Sequence, residues 1–281
     1  MTSGLDRTAA IVVHHKNFPQ VTLTVDDLLS TGIPANNVVV VDNSEDEGTE
    51  DKLRHYLHPQ IKLLTAPNYG YGMAANAGLD EIFGRDAPVE SILISSHETR
   101  FPPKTLGVLV AQLDRDSSIG AAGPVLFMKD EPDQLWSAGG SLSKYLKRPV
   151  HRMQIPSDPV SATWLDGAFV LYRAEAIRSA RFDPVYRMYY EETDLHLRLG
   201  AAGWRVSVVP QAIVYQATAG APPFYVGRNG YLFGKRYTTI VQRWAALGRE
   251  ALRFAVRGHG RTSRRAAVRA YVQGMIDGIK T

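Results

Sequence analysis

Three carboxylates fall within four positions at Glu191-Glu192-Thr193-Asp194. A carboxylate within hydrogen-bond reach of a hydroxyl can take its proton while the oxygen attacks, which a free hydroxyl does poorly near neutral pH. The same acids open a helix whose stripe is Leu195, Leu199 and Ala202. Acids at a helix N-terminus are favoured by the dipole in any case. Asp194 and Arg198, four apart, can pair on the exposed side. Residue type alone leaves a catalytic and a purely structural reading open.

Other polar residues follow short apolar runs. Ala9–Val13 leads into His14-His15-Lys16, Val38–Val41 into Asp42-Asn43-Ser44, and Ser91–Ile94 into Ser95-Ser96-His97-Glu98. Ligands of open α/β sheets sit beyond the carboxyl ends of the strands. Asp42 is held there, either to accept hydrogen bonds from a base or ribose or to cap a turn with Asn43. The loop Asn68-Tyr69-Gly70-Tyr71-Gly72 supplies glycines where backbone can approach a ligand closely.

The elements that would position these groups alternate. Strands are expected at Ala9–Val13, Val38–Val41, Ile61–Leu64 and Ser91–Ile94, with helices at Val21–Ser30, Asp51–Leu57, Gly72–Phe83 and Pro103–Leu113. That order argues for a mostly parallel sheet covered on both faces. It then loosens: Gly120–Met128, Trp136–Leu142, Ala168–Tyr172 and Arg205–Pro210 read as strand or loop segments, Thr193–Ala202 as a helix, and residues 147–161, with Pro149, Pro156 and Pro159, as a mobile loop. Beyond Pro222-Pro223, Tyr225–Val256 and Ser263–Ile279 have helical patterns.

Composition bounds the function. The 281 residues are 44% hydrophobic and 21% charged, an ordinary globular balance. The apolar runs are far shorter than the roughly 20 residues of a membrane-spanning helix, and Met1–Ala10 does not read as a secretory signal. The absence of cysteine excludes disulfide frameworks, thiol catalysis and cysteine metal sites, and suits a cytoplasmic protein. Residues 221–281 hold twelve Lys/Arg, among them Arg243, Arg249, Arg253, Arg257 and Arg261, against two acids, a local charge of +10 on a body of −6.

The stretches "VVVVDNSEDEGT", "NYGYGMAANAGLD" and "SILISSHETRFPPKTL", followed by "WLDGAFVLYRAEAI", "FDPVYRMYYEETDLHLRLGAAGWRVSVVPQAIVYQ", "GRNGYLFGKRY" and "GMIDGI", resemble family 2 glycosyltransferases, the rhamnosyltransferase-like branch most of all. The resemblance implies a GT-A fold: a Rossmann-like, mostly parallel sheet with helices on both faces, plus a C-terminal helical extension. Residues 1–221 would form the glycosyltransferase domain, 1–115 its nucleotide-sugar half and 116–221 its acceptor and catalytic half, with 222–281 a basic extension. The activity implied is inverting transfer of a sugar from a nucleotide-diphosphate donor to a hydroxyl of a glycan, lipid-linked glycan or natural product. A degenerate member that only binds a nucleotide or glycan is the alternative.

Carried onto this chain, the resemblance makes Glu192 the catalytic base, with Glu191 and Asp194 beside it. It puts His14, His15, Asp42, Asn68, Gly72, Asn76, Ser96, Asp166 and Gly167 around the nucleotide-sugar. The family's Asp-X-Asp-like motif, which holds Mn2+ or Mg2+, becomes Ser96-His97-Glu98, so His97 and Glu98 are the metal candidates. Gln216 stands near the place of a family histidine. Arg100, Lys104 and Arg228 are candidates to neutralise the leaving diphosphate. Trp204 is either core or a sugar platform. The basic extension suits an anionic membrane surface, packing on the catalytic domain, or a homodimer contact. Nucleic acid is disfavoured, since the arginines lack interleaved aromatic stacking and no recognition motif appears.

Overall fold

The computed structural model describes residues 4–217, 220–260 and 262–281, so Arg261 lies outside the described residues. After β1 (Thr8–His14) come α1 (Phe18–Ser30), β2 (Val38–Asp42), α2 (Thr49–Tyr56), β3 (Lys62–Thr65), α3 (Tyr71–Phe83), β4 (Ser91–Ser96), the short β5 (Thr99–Arg100) and α4 (Lys104–Arg115). The second part holds β6 (Ile119–Met128), β7 (Leu135–Ser137), β8 (Gly140–Leu142), β9 (Pro149–His151), β10 (Val160–Ala162), β11 (Phe169–Arg173), α5 (Ala174–Ser179), α6 (Glu191–Ala201) and β12 (Arg205–Gln216). The chain ends in α7 (Pro223–Tyr237), α8 (Ile240–Arg257) and α9 (Arg264–Lys280).

One sheet runs β10-β12-β6-β11-β4-β1-β2-β3. It is parallel from β3 through β2 and β1 to β4, and parallel again between β6 and β12, with β11 antiparallel to both its neighbours. Every residue of β1 is buried, because strands flank it and helices cover both faces. Its side chains alternate between two cores. Ala9, Ile11 and Val13 join α3, α5 and α6, whereas Ala10 and Val12 join α1, α2 and α4. The carboxyl ends of β1, β2, β4 and β12 therefore open on one edge.

Three expectations change. Residues 147–161 are not a free loop: β9 pairs with β8, and Arg148 is tied to Glu250 of α8 at 2.8 Å. The helical pattern Tyr225–Val256 is two helices, because Thr239 and Gln242 form a capping box that starts α8 anew. The strand expected at Arg205–Pro210 continues as β12 to Gln216, with Pro210 absorbed where the β6 register shifts between Val208 and Ile213.

The last helices pack by close approach. A Cβ on Gly227 of α7 would meet the Tyr271 carbonyl oxygen at 2.1 Å, and one on Gly274 of α9 would meet that of Phe224 at 1.9 Å. Leu232 and Phe233 of α7 bury Tyr186, just before α6. Among the described residues no helix is long and apolar enough to cross a membrane.

Candidate active site

A cavity of about 760 Å3 opens where the ends of β4 and β12 meet the start of α6. Ser96, Glu98, Asp166, Gly167, Glu191, Glu192 and Gln216 all line it.

The turn before α6 aims the acids. Tyr189 and Tyr190 adopt left-handed φ values of 68° and 72°, a costly conformation for two successive non-glycine residues. Asn229 of α7, fully buried, holds that turn: its side-chain amide donates to the carbonyls of Met188 at 2.7 Å and Tyr189 at 2.8 Å. One turn on, Asp194 accepts from Arg198 at 2.8 Å, Arg236 at 2.7 Å and Tyr237 at 2.7 Å. The expected Asp194–Arg198 pair forms, but with the Asp194 carboxylate buried rather than exposed. Saturated by these donors, Asp194 anchors α6 to α7 and does not line the cavity.

Glu191 and Glu192 do. Burial raises the Glu191 carboxyl to about 7. Burial and then the Glu191 charge push Glu192 well above the ordinary carboxylate range. Two such neighbours cannot both ionise easily, so near neutrality they hold a proton between them. Gly167 sits against Glu192: a Cβ there would contact the Glu192 Cβ at 3.5 Å and the Tyr71 ring at 3.6 Å. The Tyr71 hydroxyl donates to the Gly167 carbonyl at 2.6 Å.

The 165–167 segment is braced from below. His196 accepts the Leu165 amide at Nδ1, 3.2 Å, so its Nε2 carries the proton facing the Tyr172 hydroxyl at 3.1 Å. Burial drops its pKa to about 3, which keeps it neutral. Asp166 Oδ1 accepts from the Trp136 indole at 3.2 Å and lies 3.2 Å from His151 Nε2. His151 packs between Trp136 and Trp164. Burial would lower its pKa, but the hydrogen bond to Asp166 raises it on balance. Burial would raise the Asp166 carboxyl, but His151, then Ser137 and Trp136, hold it below the usual carboxylate range; its Oδ2 is buried.

At the strand ends the candidates divide. His14 is fully buried; its Nδ1 lies 2.8 Å from Asp42 Oδ1. Asp42 Oδ1 also accepts the Ser44 amide at 3.1 Å and the Ser44 hydroxyl at 2.5 Å. Burial raises the Asp42 carboxyl, but the His14 and Ser44 hydrogen bonds outweigh it and hold it low. His15 hydrogen-bonds the Asn43 carbonyl at 3.2 Å. Asn76 clamps Phe182, donating to its carbonyl at 2.9 Å and accepting its amide at 3.1 Å, and Gly72 makes room for the same ring. Asn68 meets Glu45 and Arg187 through its backbone. None of these six lines the cavity. His14, Gly72 and Asn76 are occupied in the packing instead.

His97 Nδ1 faces the Val13 carbonyl at 3.1 Å, which leaves the lone pair on Nε2. That nitrogen is buried without a hydrogen-bond partner and lies 3.7 Å from Glu98 Oε1. Burial, then the neighbouring His14, lowers His97 to about 4, so it is a neutral imidazole able to bind metal. No group of three or more metal-binding side chains gathers among the described residues.

Arg100 is held by Asp27 and Arg228 by Asp277, and neither they nor Lys104 line the cavity. Trp204 packs over Gly120 in the core. Sequence reasoning missed Trp136, His151 and Trp164, which were hidden in segments without periodicity. It also missed Arg148, and it placed Arg249 and Arg253 only on a basic extension; all three border the cavity around Glu250, with Arg249 and Arg253 still substantially exposed.

Residues 6–230 match the family described as "Glycosyltransferase like family 2". The N-acetylglucosaminyl-diphospho-decaprenol L-rhamnosyltransferases of two Mycobacterium tuberculosis strains, CDC 1551 / Oshkosh and ATCC 25618 / H37Rv, are each 27% identical over 262 residues, covering 82% of this chain and 82% of the relative. Among solved structures, a mannosyltransferase from Pyrobaculum calidifontis in complex with GDP-Man and Mn2+ superposes with a TM-score of 0.56 at 16% identity, over 97% of this chain and 87% of its own. Residues 1–349 of TarS from S. aureus give 0.53 at 16% identity, over 96% and 72%.

Proposed function

The chain belongs to glycosyltransferase family 2 and is a sugar-transferring enzyme; from that premise we propose that it moves a deoxyhexose of the L-rhamnose type, with inversion, from a nucleoside diphosphate to a hydroxyl of a lipid-diphosphate-linked sugar. The donor would occupy the strand ends of residues 1–115, with Asp42 and His15 beside its nucleoside and Ser96 beside its diphosphate. Residues 116–221 would supply the acceptor side, and 222–281 the support behind it. The donor and acceptor classes follow the relatives' own activity.

The observation that carries the reading is the Glu191–Glu192 pair at the cavity wall, Glu191 buried and Glu192 half-buried, with its proton affinity raised. Ionised Glu192 accepts the proton of the acceptor hydroxyl as that oxygen bonds to the anomeric carbon. The bond from that carbon to the diphosphate oxygen breaks on the opposite face, the nucleoside diphosphate leaves with the electron pair, and the configuration inverts. Burial and the neighbouring Glu191 charge raise the basicity of Glu192. Asp166 accepts a sugar hydroxyl, with His151 and Trp136 fixing its carboxylate.

His97 Nε2 and Glu98, one imidazole and one carboxylate 3.7 Å apart, would be the residues to hold a divalent cation, a pair that suits Mn2+ over Mg2+. The ion would supply positive charge to the departing diphosphate.

An outward stripe on α8, formed by Val241, Trp244, Leu252 and Val256, is exposed and apolar beside arginines. It suits a carrier lipid held at an anionic membrane surface. The deciding assay incubates the protein with nucleoside-diphosphate L-rhamnoses, Mn2+ and an N-acetylglucosaminyl-diphospho-prenol, and reads the product's anomeric configuration by NMR. Linkage opposite to the donor's is expected. Retention of configuration, or donor hydrolysis with no disaccharide, overturns the proposal.

A further inference from the structure

We propose that Arg148, Arg249 and Arg253 form the subsite for the diphosphate of the acceptor; this rests on the acceptor class proposed above. The three guanidinium groups converge on one carboxylate. Glu250 Oε1 accepts from Arg148 at 2.8 Å and from Arg249 at 3.1 Å, and its Oε2 accepts from Arg253 at 2.6 Å. Three cations on one anion leave a local charge of +2. A diphosphate esterified at both ends carries two negative charges at neutral pH, so the match is one to one.

The hydrogen-bonding capacity is also unspent. A guanidinium has five N–H donors in a fixed fork suited to phosphate oxygens. Toward Glu250 each arginine uses one, and Arg148 Nε is buried with no partner. Glu250 is itself nearly buried, with 11% of its side chain exposed, and works as the hinge that holds the forks in place.

The subsite lies at the C-terminal-helix end of the shared cavity. All four groups line the main cavity. Arg148 and Glu250 also line a narrow crevice between Pro149, α7 and α8, which Ser96, Glu98 and Gln216 do not reach. On the reading above the donor diphosphate lies at the strand ends, and the arginines gather on the side of the C-terminal helices, where a second anionic group would sit. Tyr190 borders both the cavity and the crevice, immediately before the catalytic acids. A sugar presented to Glu192 would hold its own diphosphate toward the arginines.

The test is calorimetric binding by the full chain. The probes are N-acetylglucosaminyl-diphospho-farnesol, the uncharged farnesyl N-acetylglucosaminide and inorganic pyrophosphate. Wild type should prefer the diphosphate-linked probe by about tenfold or more, the scale of charge-assisted hydrogen bonds. Arg249→Gln with Arg253→Gln should erase that preference. Both side chains are substantially exposed, 54% and 37%, and Glu250 keeps Arg148, so the variant retains its fold, which melting checks. A preference that survives in the double variant overturns the arginine assignment and leaves the acceptor class standing. Equal binding of the charged and uncharged probes by wild type overturns the subsite; transfer to either probe in a parallel assay then says whether sugar transfer itself stands. Pyrophosphate bound as tightly as the linked probe identifies a free-anion site and overturns the acceptor role.

Discussion

Glu191 and Glu192 are consecutive residues at the start of α6, yet the proposal gives them separable tasks, and substitution should tell them apart. Glu192→Gln removes the proton acceptor while keeping the shape, so turnover should fall by about 100-fold or more with donor affinity nearly unchanged. Near-wild-type transfer by that variant would shift the role to Glu191. The pair must also lose its proton to act. kcat/KM should therefore rise with pH well above the ordinary carboxylate range, and that limb should move to lower pH in Glu191→Gln, which removes the neighbouring charge. Stability runs the other way. A carboxyl raised from 4.5 to about 7 binds, in the folded state, a proton that the unfolded chain has already released. Its stabilisation is full below 4.5 and is lost as pH rises through about 7, so thermal melting should fall across that window, and less steeply in Glu191→Gln. Asp42 makes a different case, being tied to His14 and Ser44 as well as proposed for the donor's nucleoside. Asp42→Ala should cost about 1–3 kcal/mol in folding stability and also weaken nucleotide binding; unchanged calorimetric affinity in a folded variant would leave Asp42 as a turn residue alone.

At the scale of elements, α7 decides where α6 starts. Asn229→Leu would leave the Met188 and Tyr189 carbonyls without their donor inside the fold, at a cost of about 1–3 kcal/mol. The Tyr189-Tyr190 turn should relax toward ordinary φ values, and kcat should fall while donor affinity holds. Equal loss in both would make Asn229 structural only. Which elements could be read in advance follows from physics. The strands β1, β2 and β4 declared themselves because burial on both faces demands unbroken apolar runs, and the acids declared themselves by clustering. The break at Thr239 was written in a capping box but lay inside a continuous helical pattern. His151 and Trp164 gave no periodic signal, because β8, β9 and β10 are three residues each and their pairing is non-local. Glycines of "GRNGYLFGKRY" and "GMIDGI" could be matched to a family segment, but that they let α7 and α9 touch backbone to backbone depends on a contact far apart in sequence. The arginines of α8 showed helical spacing, yet the side of the helix they occupy depends on Glu250, the one acid among them.

For the whole molecule, the face of α8 turned away from the cavity carries the prediction. Val241, Leu252 and Val256 are 57–78% exposed. Replacing Val241 and Leu252 with Glu should leave folding intact and reduce co-sedimentation with anionic vesicles; wild-type protein that shows no salt-sensitive preference for anionic over neutral vesicles would remove the membrane role. The clamp of α7 on α6 reaches further. Synthesis proceeds from the N-terminus, and domains begin folding as they emerge. Asn229, Arg236 and Tyr237 leave the ribosome only after the sheet, both cores and every strand-end group are already out. A nascent chain can pair the strands and close both cores while Glu191 and Glu192 still lack the support of α7. The support for α6 thus reaches the fold after the strands it serves, and the order of the chain sets the order in which the cavity wall is completed.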